Sequence, residues 1–299
     1  MTSNLILNAV SQSRPRAKIF TSDEILQRSD YVLLDTCVST SDGDWYSGTF
    51  LGLNKKSEFS LGSIEKEIES ARRFADFLEN PNVLVTPGVS QEILSFVDRL
   101  KKNIDLVKIK AGFRRGWLKR EDLEKLSEFY ELQETRYYKC KESEFFPREK
   151  TEYDFLEKIV LGVTEETHAK IDYGKVYHPD RRTEKRVDFH TDEQLVASAL
   201  YLSVAEDKSC AIITRDTDIK RILFNTLSYL TYPYTFAYAG IVESTNINKM
   251  IIYFPTDNAG FCQRYNSVEF SSHNRNVISK EKLASIRQKL NSYVSPLVA

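Results

Sequence analysis

Short unbroken apolar runs alternate with stretches of helical period along the first third of the chain. Residues 31–34 (YVLL) and 82–86 (NVLVT) have strand length and no polar alternation, the pattern of strands buried on both faces of a parallel sheet. Between them, Ile64, Ile68, Ala71, Ala75 and Leu78 mark one face of a helix opening at Ser63. Glu65 and Glu67 lie in its first turn, where the helix dipole favours acids. Thr86-Pro87 predicts a cap and first helical position for a second helix. That helix carries Glu92 near its start and buries Ile93, Phe96, Val97, Leu100, Ile104 and Val107. The rhythm predicts an α/β fold on a parallel sheet.

From 99 to 186 the rhythm changes. Helical segments are predicted through Val107, over 121–138 and over 152–161, with no strand candidate between them. The sheet pattern resumes over 191–223, where TDEQLVASALYL predicts a helix, CAII a strand and DIKRIL a further helix. Beyond it, YPYTFAYAGI (232–241) and MIIYFP (250–255) predict a hairpin turned by STNINK, and 280–290 a last helix. The expected organisation is an N-terminal arm (1–29) and a core at 30–225 interrupted by a helical insertion at about 99–190. A β-rich extension (226–299), a hairpin plus a helix, would pack on that core.

Composition narrows the class. With 299 residues, 41% hydrophobic and 12% aromatic, the chain can bury a sizeable core. Its 42 basic and 43 acidic residues nearly cancel, so a nucleic-acid contact would need a local patch. Two patches exist. Arg99, Lys101, Lys102, Lys108, Lys110, Arg114, Arg115, Lys119 and Arg120 face one acid, Asp105, in their stretch, and the loop HPDRRTEKR (178–186) adds Arg181, Arg182, Lys185 and Arg186. Such clusters suit sequence-blind, salt-sensitive phosphate contacts, with Arg114-Arg115 beside Trp117 the sharper candidate. A solvated helix face is the plain alternative for any one lysine. Cys37, Cys140, Cys210 and Cys262 are scattered without a CxxC pair, which argues against zinc and disulfides and for a cytoplasmic setting. No apolar run approaches membrane-span length, so no membrane partner is expected. The N-terminus lacks the basic start of a secretory signal and reads as a loose arm.

Acids stand where an open parallel sheet collects ligands, beyond the carboxyl ends of its strands. Asp35 closes the first strand and Glu92 opens the helix after the second. Asp192 opens the helix before the third strand, and Asp216 with Asp218 follows that strand. Each has a local explanation. Thr191-x-x-Gln194 fits a capping box, Asp216 an N-cap, Asp218 a first-turn acid and Asp35 an Asx turn. Together they would repel one another unless a cation neutralised them, and an all-oxygen set favours Mg²⁺ or Mn²⁺. Asp98, on the Glu92 helix, is a fallback for that position.

The motifs Leu-Leu-Asp35-Thr-Cys, Glu92 behind its strand, Asp192-Glu-x-Leu-x-Ala-x-Ala and Ile-Thr-Arg-Asp216-Thr-Asp218 resemble the acidic motifs of the PIN-domain nucleases in order and context. The likeness spans about 30–225 apart from the insertion. It implies a three-layer α/β/α fold around a central parallel sheet, and a Mg²⁺- or Mn²⁺-dependent endonuclease. Asp35, Glu92, Asp192 and Asp216 would be its catalytic metal ligands, with Asp218 auxiliary. RNA is preferred over DNA as partner, and homo-oligomerisation stays open. The insertion and the C-terminal hairpin depart from the compact toxin-type members, so toxin function is not carried over.

Thr36 and Thr214 could orient water or phosphate. His168, His178, His190 and His273 have no zinc-ligand spacing. Tyr232, Tyr234, Phe236 and Tyr238 could stack bases, although alternate strand positions more often form one packed face. A dehalogenase-type phosphatase would want a second Asp at position 37, where Cys37 stands. A catalytically silent PIN-like RNA-binding or scaffold protein and a structure-specific DNA nuclease are the alternatives.

Overall fold

The computed structural model describes residues 18–39, 75–94, 120–147, 150–168, 190–230, 249–256 and 260–266. It also describes isolated helical positions within 65–72, 97–105 and 281–288. The described strands form one six-stranded sheet. They are β1 (Ile19–Phe20), β2 (Tyr31–Leu34), β3 (Val83–Leu84), β4 (Cys210–Ile213), β5 (Met250–Pro255) and β6 (Phe261–Asn266), in the spatial order β1-β6-β5-β4-β2-β3. Strands β3, β2, β4 and β5 run parallel, and β6 is antiparallel to both of its neighbours. The unbroken apolar runs occupy the middle of the sheet. All four residues of β4 are buried, as are Val32, Leu33 and Leu34 of β2. Each buried aliphatic side chain contributes about 1.5–3 kcal/mol relative to exposure.

Six helices concern the site and its supports: α1 (Ser22–Arg28), α2 (helical positions within 65–77), α3 (87–94, with further helical residues to 105), α4 (Arg120–Glu142), α5 (Thr151–His168) and α6 (Thr191–Val204). A further helix, α7 (Thr217–Leu230), follows β4. Helix α6 is apolar almost all round because it packs on β4 and β5 and against α5 and α7. The predicted segments 121–138 and 152–161 lie within α4 and α5. Helix α5 buries Tyr153, Leu156, Ile159, Val160 and Val163, so this part of the expected insertion belongs to the packed body and does not merely cap a sheet edge. Helix α4 is tied to the α2 region by Arg72–Glu128 (2.5 Å), Lys139–Glu79 (2.8 Å) and a Lys125–Glu65 pair. After α4, Phe145 N–H donates to the Val85 carbonyl at 2.8 Å, a rung beside β3 that no sequence pattern predicted.

Two expectations are corrected. Residues 18–29 are not a loose arm. Strand β1 pairs with β6, and Thr21 caps α1 in a reciprocal box with Glu24. The second concerns MIIYFP, which is β5: its two edges are taken by β4 and by β6. The hairpin is instead β5–β6, closed by Thr256 N–H to the Gly260 carbonyl at 2.8 Å, and it lies within the central sheet. The expected boundary at 225/226 falls inside α7. Residues 232–241 themselves, and most of 280–290, lie outside the described residues.

The topology places a crevice. The chain leaves β2 towards β3 on one side and leaves β4 towards β5 on the other, while β2 and β4 are adjacent. That makes β2/β4 the switch point, where open α/β sheets bind ligands beyond the strands' carboxyl ends. The register is level there, with Leu34 opposite Ile213 and Ile213 opposite Tyr253.

Candidate functional site

Asp35 is the first residue past β2 at the switch point and is buried, with 4% exposure. Its backbone N–H continues the ladder to the Ile213 carbonyl at 3.0 Å. Its Oδ2 accepts from the Thr214 hydroxyl at 2.6 Å and from the Cys37 thiol at 2.7 Å. Burial pushes the Asp35 carboxyl up, these donors pull it back, and the nearby Asp216 charge raises it again. The net direction is upward. Burial and the Asp35 charge hold the Cys37 thiol well above its ordinary value, so it stands as a neutral donor. Its sulfur accepts the Arg215 N–H at 2.9 Å.

Thr214 joins the two strand ends. Its N–H reaches the Tyr253 carbonyl at 3.0 Å, and its hydroxyl oxygen accepts the Asp216 N–H at 2.8 Å while donating to Asp35. Asp216 then accepts the Asp218 N–H at 2.7 Å, the N-cap geometry expected of it at the start of α7. Asp218 pairs with Arg221 at 3.2 Å, so the auxiliary acid has a helical ion-pair partner.

Asp192 lies half-buried in the first turn of α6. Its carboxyl is pushed well above the ordinary range, first by burial and then by the charges of Asp35, Asp216, Glu193 and Glu92. Asp35, Glu92 and Asp216, carried by the end of β2, α3 and the β4–α7 turn, are therefore each within electrostatic reach of Asp192 on α6. Glu92 Oε1 accepts the Thr191 hydroxyl at 2.7 Å. Asp98 is exposed and adds its charge to the field on Tyr130 of α4, so it does not stand in for Glu92.

The expected capping box at Thr191-x-x-Gln194 does not form. Helix α6 has no side-chain cap, and His190 before it holds a left-handed backbone (φ 49°, ψ 39°). Thr191 turns to Glu92, and Gln194 Oε1 accepts the Gly88 N–H of α3 at 2.9 Å. Sequence reasoning missed Glu193 as a buried member of the cluster (5% exposed), and it missed Cys37, Gln194 and Gly88 as contacts. For Cys37 its place two residues after Asp35 was the available signal.

Among the described residues, no three His, Cys, Asp or Glu side chains converge as a metal site. The carboxylates are held by neutral donors instead: Asp35 by Thr214 and Cys37, Glu92 by Thr191, Asp216 by a backbone amide. The donor set still fits a hard divalent cation. It is carboxylate oxygen, partly withdrawn from water, and its mutual repulsion is what a cation relieves. Arg114, Arg115, Lys119, Arg181, Arg182, Lys185 and Arg186 lie outside the described residues, as do Tyr232, Tyr234, Phe236 and Tyr238. No described helix is long and apolar enough to cross a membrane.

The chain matches no protein-family model, no curated protein and no solved structure. What the fold defines is a mixed α/β protein whose described strands form a mostly parallel six-stranded sheet, with acids from separate elements acting on Asp192.

Proposed function

We propose that the chain is a PIN-like, metal-dependent endonuclease that hydrolyses phosphodiester bonds, RNA by preference, with the three-layer α/β/α arrangement of that class. One observation carries the reading: Asp192 is pushed up first by burial and then by the charges of Asp35, Asp216, Glu193 and Glu92, so acids carried by separate elements act on one carboxyl. Asp35, Glu92, Asp192 and Asp216 would hold Mg²⁺ or Mn²⁺, which when bound acidifies a water and steadies charge on a phosphodiester. Thr214 and Cys37 orient Asp35, and the Asp218 amide fixes Asp216. The basic segments at 99–120 and 178–186 would contribute phosphate contacts.

The test is cleavage of single-stranded RNA and of branched DNA with Mn²⁺, Mg²⁺ or a chelator, beside Asp216→Asn. Asparagine caps a helix as well as aspartate does, so this variant removes charge and keeps the turn. Cleavage is expected only with metal and only with Asp216; activity that survives chelation and the substitution overturns the reading. A second reading, a silent RNA-binding or scaffold module, is favoured by the absence of a converged acidic triad among the described residues. RNA binding without cleavage of any substrate would establish it.

A further inference from the structure

Glu92 and Asp192 ride on different helices, and their spacing cannot come from either helix alone. Two hydrogen bonds join those helices near their N-terminal ends. The Thr191 hydroxyl donates to Glu92 Oε1 at 2.7 Å, and the Gly88 N–H donates to Gln194 Oε1 at 2.9 Å. Gly88 lies in the first turn of α3, whose leading amides have no acceptor within their own helix. Gln194 therefore caps α3 from across the crevice, while α6 goes without a side-chain cap of its own. The contact is close. A Cβ on Gly88 would lie 3.0 Å from Thr191 Cα, Thr191 Oγ1 and Gln194 Oε1. Thr191 Cα is backbone and yields less readily than a side-chain tip, so a residue other than glycine at 88 presses on the start of α6.

We propose that Gly88, Thr191 and Gln194 form a clasp that sets the separation and orientation of Glu92 and Asp192, making Thr191 and Gln194 positioning residues for cation binding. This rests on the metal-site reading above. The TDEQ segment has a local use available, capping its own helix, and in the fold both side chains are directed to α3 instead. Thr191 also precedes Asp192 directly, so the group that fixes Glu92 is covalently attached to the second carboxylate.

The experiment is a Mn²⁺ titration of the full chain, followed by electron paramagnetic resonance of free Mn²⁺, with thermal unfolding measured in parallel. Thr191→Val, which keeps shape and removes the donor, should weaken Mn²⁺ binding about tenfold, the low end for loss of an outer-shell hydrogen bond to a ligand. Thr191→Ser should restore it, and Gly88→Ala should weaken it as Thr191→Val does. Gln194→Met, which spares the Glu92 donor, should also weaken it and keeps the test decisive if Thr191→Val does not fold. Wild-type affinity in the folded variants, whatever their Tm, overturns the clasp. A wild-type chain that binds no Mn²⁺ sinks the metal reading itself, and the clasp's role in cation binding with it.

Discussion

The Thr214 hydroxyl donates to Asp35 Oδ2 at 2.6 Å across a separation of 179 residues. The same oxygen accepts the Asp216 N–H at 2.8 Å, so one buried hydroxyl links two acids of the crevice and the ends of β2 and β4. Thr214→Val removes both bonds without changing shape. It should cost about 1–3 kcal/mol in denaturant unfolding, the range for stranding buried hydrogen-bonding groups. Thr214→Ser should recover most of that. A valine variant as stable as wild type would show that the link is incidental.

The Asp192 carboxyl lies above its ordinary value in the folded state, because of burial and the negative charges around it. Its contribution to stability is thus fully present below the unfolded value near 3.8 and is lost as pH rises through the raised folded value. Asp192→Asn abolishes that loss. The metal-free variant should be more stable than wild type at neutral pH. The difference should close as pH falls into the ordinary carboxylate range. Thermal unfolding of both chains across pH with chelator present checks this, and a gap that widens in acid contradicts it.

Much of the central sheet is legible because buried parallel strands are written as unbroken apolar runs: YVLL and CAII could hardly be anything else. Edge structure is not. Strand β1 is two residues long and β6 (FCQRYN) mixes polar with apolar positions, so both owe their strand character to each other and to β5. The segment YPYTFAYAGI has stronger strand propensity than FCQRYN, yet β5 has only two edges and the chain fills them with β4 and β6. At the site, acids at strand ends and helix starts are visible in sequence because topology puts those points on one edge. The contacts of Thr191 and Gln194 are hidden from the sequence for the opposite reason. A capping box is a local pattern, and its competitor, the Gly88 amide, lies 106 residues from Gln194. Glu193 was passed over because helical periodicity does not reveal that α6 is covered on nearly every side.

The start of the described chain is held by a local device that should be measurable. Thr21 accepts the Glu24 N–H at 3.2 Å, and Glu24 accepts the Thr21 N–H at 2.8 Å. The second bond draws the Glu24 carboxyl below its ordinary range. Thr21→Ala should lower stability by about 1 kcal/mol, the usual loss for a helix N-cap. Hydrogen exchange should quicken in α1 and leave β4 protected, since a cap acts on its own helix first. Uniform acceleration across the sheet would mean that α1 and β1 unfold only with the whole.

The two basic segments make a quantitative claim about RNA. Each phosphate neutralised on a single strand steepens the dependence of log affinity on log salt by about 0.7. If Arg114 and Arg115 each hold one phosphate, replacing both with alanine should flatten that slope by about 1.4 and weaken binding most at low salt. The loss should be equal for RNAs of different sequence, because backbone contacts carry no base information. Reversal to glutamate should weaken binding further by repulsion. Titrations at several salt concentrations, with catalysis blocked by Asp216→Asn, separate the effect from cleavage. A slope identical to that of the parent chain would remove Arg114 and Arg115 from the interface and leave Arg181, Arg182, Lys185 and Arg186 as the basic cluster to test next.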